Sequence, residues 1–527
     1  MIKKQSPHVV LIVLDTHRWD RLSTYGYGRK TTPNIDDFAQ QATIFENGIS
    51  PAQWTIPAHA SIFTGEYPTT HQTLQAHATL DSRFDTIAKL LSANGYHTVG
   101  FCNNPLVGIL NNGLKRGFDT FYNYSGAVPS VPRSSNSLPQ PLDRIWEWYT
   151  QQLRKASYPV QNAFAHSDFL FRLFMNPLLV SLWTWLANFK GDTGKTVRDV
   201  QACLSQLQHD PAAKPHFIFV NLMETHTPYT PPERFINEFA PYFKEDQAVR
   251  DFMRNYNSQA FRWLLPLEER FKPMESAVLN DLYDAEVAHQ DYLLGPLLEF
   301  LSRTEVAENM LTIIVADHGE GLGEHNFMGH SFVTYQELIH VPLIIKFPGH
   351  MAAGQRMATT VSTRRIFHTI LDAAKVQVFE TAHRPAIDIK QLSLARTVQG
   401  NDPEHELVFA EAYPPNTFLG MMETHVPRMI ETFYCKLNRW AVYQGQHKLT
   451  RIEGVKDELF DLIADPREEK DLAERQPELA VKLAHRLEAF MTHTIARRPE
   501  SRQINQSLNL EEDENLMKQL RTLGYIE

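Results

Sequence analysis

Five short apolar runs punctuate the chain, at residues 9–14, 97–101, 217–222, 311–316 and 341–347. They are rich in Val, Ile, Leu and Phe without polar alternation, the pattern of strands buried on both faces. Stretches with helical spacing lie between them, at residues 34–41, 86–94, 193–208 and 280–301. Gly95 follows the second, where a left-handed residue commonly stops a helix. Alternating strand and helix predicts a doubly wound α/β domain on a mostly parallel sheet.

Two stretches interrupt this rhythm. Residues 125–193 open with a Pro- and Ser-rich loop and contain an apolar segment at 169–189, and residues 232–273 form a second, polar insertion. Both are expected to shape the substrate pocket. The run Gly191-Asp-Thr-Gly-Lys-Thr196 lacks the glycine spacing of a phosphate loop. Beyond about residue 380 the chain turns more polar. Short apolar runs remain at 407–410 and 440–443, with charged helical stretches at 478–490 and 510–523. The organisation read from this is a catalytic α/β domain over 1–380 and a smaller C-terminal α+β subdomain over 381–527.

Charge and cysteine usage narrow the class. Fifty-one basic residues against 61 acidic ones give a net charge of −10, which argues against nucleic acid or an anionic membrane as partner. An acidic protein that takes an anionic substrate must build positive potential locally, and a metal ion does so. The three cysteines (Cys102, Cys203, Cys435) cannot make an even disulfide framework and read as reduced thiols, so a cytoplasmic location is expected. The run at 9–14 is too short for an export signal. Arg172, Asn176 and Pro177 break the apolar segment at 169–189, so no membrane span is expected. A buried or lid-forming helical pair is the first reading of it, and an interfacial or homo-oligomer surface the second.

Three of the apolar runs end in chemically loaded residues: Asp15-Thr16, Glu224-Thr-His226 and Asp317-His318-Gly-Glu320. Open α/β sheets bind ligands beyond the carboxyl ends of their strands. If these strands are parallel, one sheet edge gathers two aspartates and two histidines. Oxygen ligands with at most one imidazole suit Mn²⁺, Ca²⁺, Mg²⁺ or Zn²⁺.

The segments Asp15-Thr-His-Arg-Trp-Asp20, Thr32-Pro-Asn-Ile-Asp36 and Asp317-His-Gly-Glu-Gly-Leu-Gly-Glu-His325 resemble sulfatase motifs in content and order. So do Gly329-His330, Val341-Pro-Leu-Ile-Ile and Glu458-Leu-Phe-Asp-Leu-Ile-Ala-Asp-Pro466, and the likeness runs with interruptions from about residue 7 to 470. The block Thr55-Ile-Pro-Ala-His-Ala-Ser-Ile-Phe-Thr-Gly65 resembles the sulfatase signature in which a cysteine is oxidised to formylglycine. A threonine cannot undergo that conversion, but its hydroxyl can attack once a metal lowers its pKa. The resemblance implies the mixed-sheet fold of the alkaline phosphatase superfamily. It places Asp15, Thr55, Asp317 and His318 around one divalent metal, with Thr16 where the family has a second aspartate.

The same resemblance gives the remaining roles. A helix is expected to begin near Ala58, with its positive end toward the site. His59 occupies the family's arginine position. His226 and His330 match a substrate-binding histidine and an anion-contacting lysine, and either is suited to protonate a departing alkoxide. The family's Gly-Lys-Trp-His block aligns with Cys102-Asn-Asn-Pro105, so Asn103 and Asn104 offer hydrogen bonds without charge. Loss of those cations shifts the expected substrate toward a phosphodiester or phosphonate ester. A sulfuric ester hydrolase, a phosphoryl-group transferase and a catalytically dead binding scaffold are the alternatives.

Overall fold

The computed structural model describes residues 6–126, 129–132, 189–209, 213–303, 305–378 and 389–498. Each apolar run forms a strand within two residues of the expected bounds. In chain order the first strands are β1 (His8–Leu14), β2 (Thr43–Ile49), β3 (His97–Cys102), β4 (Thr120–Asn123), β5 (His216–Leu222) and β6 (Met310–Val315). A small hairpin follows, β7 (Gly321–Leu322) with β8 (Met328–Gly329). The chain then returns through β9 (His340–Lys346), β10 (Arg356–Met357) and β11 (Val361–Ser362). Among the described residues the main sheet has nine strands, ordered β10-β2-β9-β6-β1-β5-β3-β4, with β11 also against β2.

The absence of alternation in β1 follows from its position. Val9, Leu11 and Val13 face one core with Phe63, Leu91, Phe219 and Phe367. Val10, Ile12 and Leu14 face the other with Phe38, Val200, Leu204 and Leu297. Helices Thr55–Thr64, Ile87–Ala93 and Ile366–Ala373 cover the first face; Pro33–Ala39, Thr193–His209 and Pro273–Arg303 cover the second. The layers are those of a doubly wound fold, but the sheet is mixed. β9 runs antiparallel to both β6 and β2. Hydrophobic pattern reports two-sided burial and carries no information on direction, so residues 341–347 read the same either way. β2 escaped the pattern because Glu46 and Asn47 interrupt it at a bulge between Phe45 and Gly48. A Cβ at Gly48 would lie 2.9 Å from the Val341 carbonyl.

A second, antiparallel sheet comprises β12 (Val408–Ala412), β13 (Arg439–Gln444), β14 (His447–Ile452) and β15 (Lys456–Asp461). Helix Pro477–Ala496 covers it, packing Leu483, Leu487 and Phe490 against Trp440, Val442 and Leu459. Ile389 and Leu394 pack into the core of the first sheet, so the smaller subdomain takes over only at β12. Insertion 232–273 forms helices Glu233–Phe239 and Gln247–Ser258; the second packs Val249, Met253 and Tyr256 beside Tyr229 and Tyr283. Apart from Phe189, the apolar stretch 169–189 lies outside the described residues, as does the helical reading of 510–523. No helix among the described residues is long and apolar enough to cross a membrane.

The two sheets join at a parallel bridge between Ala52 and Glu411. The Glu411 carboxylate is fully buried there, accepting from the Thr69 amide at 2.8 Å and the Thr69 hydroxyl, with Arg498 as a nearby charge. Burial pushes its pKa up to about 7. A raised acid costs stability as pH rises from the unfolded pKa to the folded one, because the unfolded chain ionises first. Relative to Glu411→Gln, the wild type should therefore lose up to about 3 kcal/mol between pH 5 and pH 8. Denaturant titrations of both proteins at the two pH values measure this. A constant difference would show the carboxyl ionised throughout.

Candidate active site

The register of the central strands builds the site. β1 pairs Val13 with Val315 of β6, so two residues beyond, Asp15 stands beside Asp317. On the other side β1 pairs Leu14 with Leu222 of β5, which runs on to Thr225 and His226. Three parallel strands thus deliver their terminal residues to one edge. Asp15, Asp317 and His318 each offer a ligand atom, all within 4.8 Å of one another and all buried.

Thr55 is the first residue of helix Thr55–Thr64, three residues earlier than the start expected near Ala58. The Ser50–Trp54 loop brings it from the end of β2, and its Oγ1 lies 3.3 Å from His318 Nε2. The helix is buried along its whole length and stops at Gly65 (φ +75°), where a Cβ would meet the His368 ring at 2.7 Å. His318 Nδ1 donates to the Gly319 carbonyl at 2.9 Å. That tautomer leaves Nε2 bare toward Thr55 and Asp317.

Thr16 holds a left-handed backbone (φ +58°), which costs a non-glycine residue roughly 1–2 kcal/mol. Each of the six fully buried residues preceding Asp15 contributes about 1.5–3 kcal/mol, so the strand overrides the strain. The Thr16 hydroxyl donates to the Asp15 carbonyl at 2.7 Å, and Tyr283 OH donates to the Thr16 carbonyl at 2.7 Å. Thr16 approaches the aspartates through its amide, 3.4 Å from Asp317 Oδ1, and not through its hydroxyl.

The electrostatics call for a cation. Burial, then mutual repulsion with Asp317, pushes Asp15 up to about 8, and burial pushes Asp317 to about 8 as well. Asp15 Oδ1 and Asp317 Oδ2 are buried without a hydrogen-bond partner. Burial also depresses His59 and His318 to about 4 and His226 and His330 to about 3, so no imidazolium balances the acids. Two orphaned carboxylate oxygens and one bare imidazole nitrogen are the donor set of a divalent-metal site. The residues fit the ion. A second acidic group, Glu224, Glu286 and His289, already holds a cation, because Lys190 Nζ lies 3.0 Å from Glu286 Oε1.

The remaining candidates fall into two groups. His59 Nδ1 donates to the Thr55 carbonyl at 2.9 Å and lies 3.4 Å from Asp317 Oδ2, so it braces Thr55 and Asp317 together. Asn104 Nδ2 donates to Asp15 Oδ2 at 2.6 Å, while Asn103 is turned away onto Thr193 and Thr196. His330 lies next to His318, ring centres 4.5 Å apart and tilted, and His226 meets the His330 ring edge-on at 5.2 Å. Sequence reasoning missed Asn221, whose amide accepts from the Asn104 backbone and approaches both Asp15 and His59. Its signal was a lone polar residue inside the apolar run of β5. Thr225, donating to the Asp15 carbonyl at 2.6 Å, had none.

A mixed doubly wound sheet with a buried acid–imidazole cluster at its carboxyl edge and a hydroxyl at a helix start is the layout of a metal-assisted ester hydrolase. The sulfatase family model matches residues 7–376, and the chain belongs to the sulfatase family, whose members hydrolyse ester bonds. It is 24% identical over 419 residues to an arylsulfatase of Clostridium perfringens (strain 13 / Type A), covering 76% of this chain and 81% of that one. It is 23% identical over 458 residues to a choline-sulfatase of Rhizobium meliloti (strain 1021), covering 84% and 77%. Its fold resembles the phosphonate monoester hydrolase of Agrobacterium radiobacter, with a TM-score of 0.62 at 20% identity over 93% of this chain and 96% of that one. Sulfatase-family enzymes generally bind a divalent metal.

Acids held near 8 are mostly protonated at pH 7, and an ion binds only their ionised form. Binding of Mn²⁺ at pH 7 should release roughly one to two protons per ion, falling toward none above about pH 9, while affinity rises with pH. Calorimetry in buffers of different ionisation enthalpy measures the release, and Asp317→Asn should lose most of the affinity. Binding at pH 7 without proton release would mean the carboxyls are already ionised.

Proposed function

We propose that the protein hydrolyses a singly charged tetrahedral ester, with a phosphodiester or phosphonate ester favoured, through a covalent intermediate on Thr55. The observation that carries this is the placement of Thr55 Oγ1 at 3.3 Å from His318 Nε2, which itself lies 3.4 Å from the orphaned Asp317 Oδ2. When bound, a divalent cation lowers the pKa of the Thr55 hydroxyl and draws charge from the substrate's non-bridging oxygens. Thr55 Oγ forms a bond to phosphorus as the bond to the leaving oxygen breaks. That oxygen departs with the electron pair and takes the proton that Thr55 gives up, which neutral His330 or His226 accepts on its free ring nitrogen and passes on. Water then attacks the same phosphorus and gives one proton to the same imidazole, which returns it to the Thr55 oxygen as the bond from that oxygen to phosphorus breaks. His59 and the helix start hold Thr55 in place, and Asn104 and Asn221 hold Asp15.

The charge preference rests on how the nearby cations are used. Lys115 Nζ donates to the Gly108 and Ile109 carbonyls, Lys190 is bound to Glu286, and Arg18 is bound to Asp20 and Glu324. Two carboxylates and one divalent ion sum to zero, so among the described residues nothing is left to balance a dianion. A sulfate monoester is also a monoanion, and the sulfatase names of the relatives keep sulfuric ester hydrolysis as the second reading.

The test is a parallel assay of a phosphodiester, a phosphonate ester, a phosphate monoester and an aryl sulfate with Mn²⁺, Ca²⁺, Mg²⁺ and Zn²⁺. Turnover should be highest for the first two. Thr55→Ala should lower kcat by about 10³ or more with the fold intact, and Thr55→Ser should keep most of it. Undiminished activity in Thr55→Ala removes the nucleophile, and preferential turnover of aryl sulfate selects the second reading.

A further inference from the structure

Strands β1, β5 and β3 lie side by side, and each opens on a histidine: His8, His216 and His97. The parallel register sets the three level. His97 pairs with His216, and Val9 pairs with Phe217, which puts His8 beside His216 on its other flank. Residues level on adjacent strands send their side chains to the same face, and the rings meet there. The His97 and His216 ring centres are 4.9 Å apart with their planes at 74°, and the His8 ring is centred 6.0 Å from that of His216. This is the amino edge of the sheet. It lies about 20 Å along β5 from the edge that carries Asp15 and Asp317.

The hydrogen bonds around these rings decide which nitrogens are open. His216 Nδ1 donates to the Lys214 carbonyl at 2.8 Å. His97 Nδ1 lies 3.3 Å from Asp119 Oδ2, just ahead of β4. That carboxylate also accepts from the Thr98 amide at 2.9 Å and the Thr98 hydroxyl at 3.2 Å, so it is fixed in place. A carbonyl and an exposed, ionised carboxylate only accept, so both rings carry their hydrogen on Nδ1 and leave a lone pair on Nε2. A carbonyl or carboxylate behind one ring nitrogen is the support that metal-ligating histidines usually have. His8 is the opposite case. Its Nδ1 accepts from the His216 amide at 3.1 Å, so Nε2 holds the hydrogen and the ring braces its neighbour's backbone. Two imidazoles that share one tetrahedral ion at ordinary Zn–N distances have ring centres about 5 Å apart, the spacing that His97 and His216 show.

We propose that His97 and His216 form a second metal site, which holds Ni²⁺, Cu²⁺ or Zn²⁺ between their Nε2 atoms with water completing the coordination. Imidazole ligands suit these ions, whereas the oxygen-rich cluster at the other edge suits Mn²⁺, Ca²⁺ and Mg²⁺. The test uses that difference. The full-length protein is saturated with Mn²⁺, Ni²⁺ or Cu²⁺ is added near neutral pH, and all metals are counted by elemental analysis after equilibrium dialysis. Wild type should take up one Ni²⁺ per chain while keeping its Mn²⁺, and should bind Cu²⁺ more tightly still. The Cu²⁺ electron paramagnetic resonance spectrum should show two nitrogen ligands. His97→Ala and His216→Ala should each weaken Ni²⁺ binding by about tenfold or more, and Asp119→Ala, which keeps both ligands, by about tenfold. A cooperative unfolding transition shows that each variant is folded. The proposal is overturned if wild type takes up no Ni²⁺, or takes it only in exchange for Mn²⁺, results that need no variant and leave the rings as packing. It is also overturned if Ni²⁺ binding survives either histidine substitution, which marks an adventitious ion only. Should no Mn²⁺ bind, the acid-cluster reading falls and the histidine result is read as before.

Discussion

Two aspartates that face each other in a dry pocket set the terms for everything around them. Asp15 and Asp317 are brought side by side by the pairing of β1 with β6, and neither can move away, because the strands behind them are buried on both faces. Each keeps one oxygen in hydrogen bonds and leaves the other without a partner, and those few bonds do not repay the removal of two like charges from water. The arrangement is tolerable only if the acids stay protonated or a cation sits between them. The surrounding histidines, kept neutral by burial, do not supply that charge. A divalent ion held there would balance the pair, and the hydroxyl beside His318 is that of Thr55.

That hydroxyl arrives from a different part of the chain. Thr55 begins a helix sunk into the main core, and the loop before it is tied to the second sheet through the Ala52–Glu411 bridge. Gln53 extends the tie, donating to the Ser331 carbonyl next to His330 and to the Tyr413 carbonyl of the smaller subdomain. The C-terminal sheet therefore ties down the loops that carry Thr55 and His330. A buried ion pair between Lys448 and Glu468, with Glu468 also accepting from the Gln336 amide, secures the same face further along. Precision of placement is what an attacking oxygen needs most, since misplacement by an ångström costs orders of magnitude in rate.

The family relationship and the departures from it pull in different directions. The sheet order and the acid–imidazole cluster agree with ester hydrolysis at a metal. A threonine at 16 that offers an amide, an asparagine at 103 and a proline at 105 stand uncharged where the sulfatase motifs carry an aspartate, a lysine and a histidine. Of Asn103 and Asn104 only Asn104 touches the acid cluster, and Asn103 serves the packing of helix Thr193–His209.

Much of the frame was readable in the residues alone. A strand buried on both faces is apolar at nearly every position, so β1, β5 and β6 announced themselves, and the chemically loaded residues at their ends followed from where such sheets bind ligands. The helix at Ile87–Ala93 and its stop at Gly95 were equally plain. What the pattern could not show was anything that depends on which strand lies next to which. The antiparallel course of β9, the strand β2 broken by Glu46 and Asn47, the turn of Asn103 away from the site and the meeting of His97 with His216 were all decided by the tertiary structure. The physical reason is that side-chain type reports burial, a property of one position, whereas register and hydrogen-bond partnership belong to pairs of positions far apart in the chain.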